Sequence, residues 1–394
     1  MKSMLSMRRI SRLIAGGFIL TSFFVHGSNA AAAEPKPINI GFSCDFSGVT
    51  AWEGNVEFPI FEMAVKELNA AGGINGRPIK LHVLDNGGDP SKTVGTLKVI
   101  KDANNCVASY YGINSASGIA AKAWADTNNI PIISCGPLSD KLIQRKGKAW
   151  FFRSNLSTSV GAEVILGRIK ELGYKRVGFM GSTQAMGTDC LSYLQENISK
   201  FGLELVGSVL CEPNSKDLTI QAKRLRDTNP EAVIYSNYAA DSSVWARNMK
   251  TLGWQPYVTT GVGLGLFSAI RDITPPDLLE GWESVAQIDF TRPEIKMIWD
   301  KYAAYTGRRS DDEKPPRTWD GAHLLFEAIR LGGNPDDPTA IRDGFYKIKN
   351  FPIVSGPPGA KGSFEIGRNY LITPKECTMV VIKSGKFAMV QRKK

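Results

Sequence analysis

Residues 110–124, YYGINSASGIAAKAW, end an apolar run at Gly112 and then place two hydroxyls, Ser115 and Ser117, where an alanine-rich helical pattern opens. Small hydroxyl residues at a strand-to-helix turn serve two kinds of chemistry. One is nucleophilic attack, which needs a base beside the hydroxyl. In the other, the hydroxyl joins the unpaired N–H donors of the first helical turn and holds an anion, or simply caps the helix.

The first option finds no support. Past the amino-terminal segment only His82 and His323 remain as imidazole bases. His82 lies inside an alternating strand pattern and His323 on a helical pattern beside Leu324, so both read as structural. NSASG also misses the G-x-S-x-G nucleophile elbow, because Ser115 occupies its first glycine position. The first strand-to-helix turn, GFSCDFSGVTAWEG, lacks the dinucleotide fingerprint G-x-G-x-x-G. GVGLG at 261–265 has alternating glycines but no helix start in frame, and reads as a cleft loop with Gly261 at its edge. There is no Walker motif and no His/Cys/Asp/Glu spacing suited to a metal, so neither cofactor, metal nor catalytic residue is expected. The anion-holding reading of Ser115 remains.

The elements that would carry it are an alternation of strands and helices. INIGFS, IKLHVLD, CVASYYG and IPIISCG read as strands, separated by helical patterns, and the alternation restarts after FFRSNLS. This is an α/β fold with two Rossmann-like, doubly wound lobes and a ligand cleft between them, at the carboxyl ends of the strands. A helix is read from Phe58 to a stop at Gly72-Gly73, and another from Trp319, preceded by a polar loop at 308–317. The last run, CTMVVIKSGKFAMV, reads as two strands about a Ser-Gly turn.

Residues 1–33 read as a signal peptide: Lys2, Arg8, Arg9 and Arg12, an apolar stretch at 13–25, then small residues before Glu34. Their removal takes the net charge from +10 to +6, four basic residues being lost. Lys and Arg are dispersed, which argues against a nucleic-acid partner. None of the six cysteines shows C-x-x-C spacing. Cys190, near a helix start, and Cys211, ending the next strand, fall at one edge of a βαβ unit and form the favoured disulfide; Cys44 and Cys135 are expected unpaired.

INIGFSCDFSG, AVKELNAAGGINGRPIKLHVLDNGGDP, YYGINSAS with IPIIS, and WDGAHLLFEAI resemble the type I periplasmic binding proteins, specifically the branched-chain amino-acid (Leu/Ile/Val) binding family of ABC importers. The resemblance covers the mature chain. It implies a hinged clamp, with 34–154 and about 286–350 as the first lobe and 155–285 and about 351–394 as the second. It further implies a monomeric periplasmic protein, a small-molecule ligand and an ABC permease in the inner membrane as partners.

For the site, the resemblance places Ser115, with Ser117 close by, at the ligand carboxylate, assisted by the SCGPLSD stretch containing Gly136 and Leu138. Tyr238 matches a ligand-contacting tyrosine. Met186 stands where many members have tyrosine, and TTGVGLG carries no acidic residue to pair an α-ammonium group. Asp45 and Asp241 read as solvated loop charges. With Phe46, Trp52 and Tyr111, these residues suggest a ligand with an apolar body and an acidic head. The competing functions are a solute receptor for import, a ligand sensor for amides or amino acids coupled to a signalling partner, and an enzyme. Export favours the first.

Overall fold

The computed structural model describes residues 35–48, 50–260 and 268–390. The signal-peptide segment and Gly261 lie outside them. In chain order the first part comprises β1 (Ile38–Cys44), α1 (Ala51–Ala70), β2 (Ile79–Asp85), α2 (Pro90–Asp102), β3 (Ala108–Tyr111), α3 (Ser115–Asn128), β4 (Ile132–Ser134) and β5 (Phe151–Arg153). The second runs through α4 (Thr158–Glu171), β6 (Arg176–Ser182), α5 (Ala185–Asn197), β7 (Glu204–Cys211), α6 (Thr219–Arg226), β8 (Ala232–Ser236), α7 (Ala239–Thr251), β9 (Tyr257–Thr260), α8 (Ser268–Ile273) and β10 (Glu283–Ala286). Then come α9 (Pro293–Thr306), α10 (Lys314–Gly332), α11 (Pro338–Lys347), β11 (Phe351–Pro352), β12 (Lys361–Gly362), β13 (Thr378–Lys383) and β14 (Lys386–Met389).

Two large sheets result, ordered β2-β1-β3-β4-β5 and β14-β13-β10-β9-β8-β6-β7, beside a small β11-β12 pair. The first is wholly parallel, and β3, β4 and β5 are buried along their whole length. Strands covered on both faces need near-continuous apolar runs, which is what ASYY, IIS and FFR approximate. Helices α1, α10 and α11 cover one face. Phe152 of β5 stacks on Phe345 of α11 at 4.1 Å, and Phe61 of α1 meets Phe326 of α10 at 6.1 Å. After β10 the chain thus packs against the first sheet again.

Up to Ile372 the chain stays with the first sheet: Tyr370 bridges Arg153, and Phe364 packs edge-on against Phe152. Only β13 and β14 join the second sheet, as an antiparallel ribbon beside β10. Their link is Ser384-Gly385, both at positive φ (50° and 71°), the backbone a two-residue hairpin favours.

The Cys190–Cys211 disulfide is not formed; among the described residues all six cysteines are free and buried. Alternation explains the failure. Cys190 packs with Phe179 and Ile234 on one face of the second sheet, whereas Cys211 packs with Met180 and Tyr235 on the other. Cys211 instead accepts a hydrogen bond from Asn237 at 2.9 Å. A thiol reagent should therefore modify the native protein slowly and find six thiols per chain after denaturation without reductant; two missing thiols would restore the disulfide.

Candidate functional site

Five of the ten expected site residues, Ser115, Gly136, Leu138, Met186 and Tyr238, meet at the lobe junction. Thr50, Glu53, Ile113, Asn114, Ser115, Gly136, Leu138 and Arg317 from the first lobe, with Met186 and Tyr238 from the second, enclose a cavity of ≈ 30 Å³. Each first-lobe residue lies after the carboxyl end of a strand or at a helix start. That is where a parallel sheet collects its loops and helix N-termini.

Ser115 is the first residue of α3, but the helix cap is Asn114. Its side chain accepts from the N–H groups of Ala116 and Ser117 at 2.8 and 3.3 Å, so those donors are not offered to a ligand. The Tyr111 hydroxyl, buried beneath, donates to the Asn114 carbonyl at 2.9 Å and steadies the cap. Ser115 Oγ accepts from the N–H of Leu138 at 3.1 Å and, more weakly, from that of Ser139 at 3.4 Å. With its lone pairs so engaged, the hydroxyl proton is what it can present to the cavity. Ser117 points elsewhere, donating to the Gly88 carbonyl at 2.7 Å.

The loop after β4 is held on every carbonyl. Cys135 O accepts from Arg317 at 2.5 Å, Gly136 O and Pro137 O from Asn155 at 3.0 and 3.2 Å, and Leu138 O from the Thr158 N–H and hydroxyl at 2.8 and 3.0 Å. The fully buried guanidinium of Arg153 takes Pro137 O and Ser139 O, both at 3.3 Å. Residues 153–158 are the first crossover, so the loop lining the cavity is tied directly to the hinge. Across the cleft, Ser139 donates to Asp189 of α5, and Lys141 faces the same carboxylate at 3.6 Å.

Three of the remaining candidates do not line this cavity. Phe46 packs inside the first lobe, 6.2 Å from Phe42 and 5.7 Å from Phe58. Tyr111 supports the cap from below. Trp52 reaches across to the second lobe's core near Tyr238. Asp45 and Asp241 are not solvated: both are buried completely. His82 and His323 face Asn39 Oδ1 at 3.2 Å and Trp319 O at 2.9 Å, inside the first lobe.

A group of charges that the sequence reading passed over lies beneath the cavity, with Glu53 and Arg317 lining its floor. Glu53 and Glu57 sit one turn apart on α1; Lys314 and Arg317 begin α10. Lys314, 1 % exposed, contacts Glu53 and lies 3.2 Å from Glu57, while Arg317 pairs with Glu313 at 2.8 Å. Burial raises the Glu53 carboxyl above its ordinary pKa, with Lys314 opposing the shift. Burial also works against the Lys314 ammonium, but Glu53 and Glu57 outweigh it and hold its pKa up. Cations at a helix N-terminus oppose the helix dipole, so these two are held by the glutamates rather than by α10. Glu313 continues outward: its Oε2 accepts from Gln287 N–H at 2.8 Å, and Gln287 Oε1 accepts from Leu156 N–H at 2.7 Å, joining two crossovers to the cavity floor.

The sequence profile of the periplasmic binding protein family matches residues 37–372. The chain belongs to that family. It is similar to the Leu/Ile/Val-binding protein homolog 8 of Brucella suis, 25 % identical over 92 % of this chain and 91 % of that one. In structure it resembles the branched-chain amino acid transporter substrate binding protein LivJ of Streptococcus pneumoniae, solved in complex with isoleucine (TM-score 0.77, 20 % identity, 90 % and 99 % covered). It also resembles a solute binding protein of an ABC transporter from Rhodopseudomonas palustris BisB5 in complex with 3,4-dihydroxy benzoic acid (TM-score 0.74, 16 % identity, 89 % and 95 % covered). This periplasmic binding protein is thus a solute-binding protein of two lobes, and the cavity lies between them.

Proposed function

We propose that this protein is the extracytoplasmic receptor of an ABC importer and captures a small apolar carboxylate between its lobes, acting as a monomer that presents the closed clamp to a permease. The observation that carries the reading is the pairing, in one cavity, of the Ser115 hydroxyl and the Arg317 guanidinium with the apolar Ile113, Leu138, Met186 and Tyr238. The hydroxyl is a donor suited to a carboxylate, and the guanidinium, already bonded to Glu313 and the Cys135 carbonyl, adds positive charge beside it; the remaining walls suit an apolar body. A cavity of ≈ 30 Å³ has room for only a few water molecules, so a solute enters by parting the lobes. The Asp189 contacts to Ser139 and Lys141 are among those that open and re-form.

One observation favours a second reading, an α-amino acid. The Glu53 carboxylate lines the same cavity and stands where an ammonium group could pair with it. A thermal-shift panel on protein unfolded and refolded to strip carried-over solute separates the two, because binding to the native state raises the melting temperature by mass action. Benzoate-type, phenylacetate-type and branched oxo-acids are expected to stabilise; leucine, isoleucine, valine and phenylalanine are not. The reverse outcome transfers the assignment to the amino acids and Glu53. Ser115→Ala should weaken the bound acid by about 10- to 100-fold in calorimetric titration, the range of one hydrogen bond to a charged group. Unchanged affinity removes Ser115 from the site.

A further inference from the structure

Asp45 ends the first strand's loop side fully buried, with Oδ2 accepting from the Thr50 hydroxyl at 2.5 Å and Oδ1 buried without a hydrogen-bond partner. Thr50 in turn lines the cavity beside Ser115, Glu53 and Arg317. A threonine has one O–H to give. While Asp45 is ionised it can only accept, so the Thr50 proton is committed to it and the cavity meets a bare oxygen acceptor. A protonated Asp45 can donate instead, and the Thr50 proton is then released toward the cavity.

We propose that Asp45 is a positioning residue whose protonation sets whether Thr50 accepts from or donates to the bound solute, so that capture of a carboxylate is accompanied by proton uptake at Asp45. This rests on the carboxylate reading of the cavity given above. The groups around Asp45 favour the neutral form. Glu53 and Glu57 face it from α1, Asp85 from the end of β2, Cys44 from its own strand, Tyr111 from β3 and Tyr238 from the second lobe. The cations nearby, Lys314 and Arg317, are engaged by Glu53, Glu57 and Glu313. Burial foremost, then the surrounding carboxylates, raise the Asp45 pKa to about 7, against the Thr50 bond, which lowers it. A carboxylate arriving in the cavity adds another negative charge and pushes the proton further onto Asp45.

The test is calorimetric titration of the protein with benzoate and with phenylacetate from pH 5.5 to 8.5, in buffers of differing ionisation enthalpy. The wild type should lose about tenfold in affinity between pH 6 and 8, the equivalent of about one unit of coupling, and take up protons near pH 7. Asp45→Asn, whose amide donates to Thr50 as the acid does, should bind tightly with no slope. Thr50→Val keeps Asp45 and the Ser115 contact but removes the hydroxyl between Asp45 and the cavity, so it should bind more weakly at pH 6 and keep only the part of the slope that comes from charge repulsion. A wild type that binds the acids without pH dependence overturns the inference; a slope that persists in Asp45→Asn does so too and assigns it to Glu53. A Thr50→Val protein with unchanged affinity and unchanged slope overturns the role given to Thr50. Failure of both acids to bind wild type at any pH overturns the carboxylate reading itself, and this inference with it.

Discussion

Replacing Lys314 by methionine is expected to lower the stability of the folded protein by about 3–5 kcal/mol, the cost of removing one partner from a buried ion pair. The side chain is 1 % exposed and is the shared cation of Glu53 and Glu57, themselves 3 % and 0 % exposed. Methionine fills a similar volume, so the loss is electrostatic rather than a cavity. Burial already raises the Glu53 pKa in the wild type, and loss of the ammonium raises it further. A carboxyl raised on folding binds its proton more tightly in the native state than in the unfolded chain. Its unfavourable contribution therefore grows as pH rises from the unfolded pKa through the folded one. Urea unfolding at several pH values should show the variant's deficit increasing from acid toward neutral. Adding Glu53→Gln to Lys314→Met should recover part of the loss. A deficit below about 1 kcal/mol, the range of an exposed pair, would mean that water reaches the pair.

Gly136→Ala is expected to cost the site rather than the fold. A Cβ at Gly136 would stand 2.4 Å from the Cα of Ile113, which is backbone and cannot rotate aside. The loop cannot retreat either, since Asn155, Arg153 and Thr158 hold its carbonyls from the other side. The strain falls on the Leu138-to-Ser115 hydrogen bond. Overpacking of this kind costs about 1–3 kcal/mol of strain; where it is relieved by shifting the Leu138 loop off Ser115, ligand affinity should fall by about 10- to 100-fold. Gly167→Ala on α4, where an added Cβ meets nothing within 4 Å, is the matched control and should leave affinity unchanged. Equal affinities for the two variants would show that the loop is looser than its hydrogen bonds suggest.

What the sequence disclosed and what it hid follow from two different signals. Strand and helix alternation, the Ser384-Gly385 turn and the convergence of Ser115, Gly136, Leu138, Met186 and Tyr238 come from periodicity and resemblance, which act over whole elements. Prolines hid the charged floor. Pro59 lies inside α1, so the reading began the helix at Phe58, leaving Trp52 and Glu53 in a loop and Glu57 ahead of the helix. Pro315 and Pro316 made 308–317 look like a connection. In fact α10 starts at Lys314, and proline is tolerated in a helix's first turn because its missing N–H has no partner there. Charged residues in a supposed loop read as solvated; the same residues on two packed helices are buried. The cysteine pairing failed for a related reason, since adjacency along a βαβ unit does not say which face a side chain takes. Asp45 needed the fold outright, because no local pattern distinguishes a buried loop carboxylate from an exposed one.

The discontinuous first lobe has a consequence for how the chain is made. Its sheet is complete once Arg153 has been synthesised, yet the face bearing Phe152 is covered by Phe345 and Phe364 from the far end of the chain. Tyr370 closes the edge beside Arg153, more than 200 residues downstream. Contacts of such separation make loop closure slow and leave apolar strands uncovered while the second lobe is still being made. A nascent chain ending near the first crossover should therefore remain protease-sensitive and engage a holding chaperone. Protection of the first lobe should arrive in one step, after α11 and the segment to Ile372 have emerged.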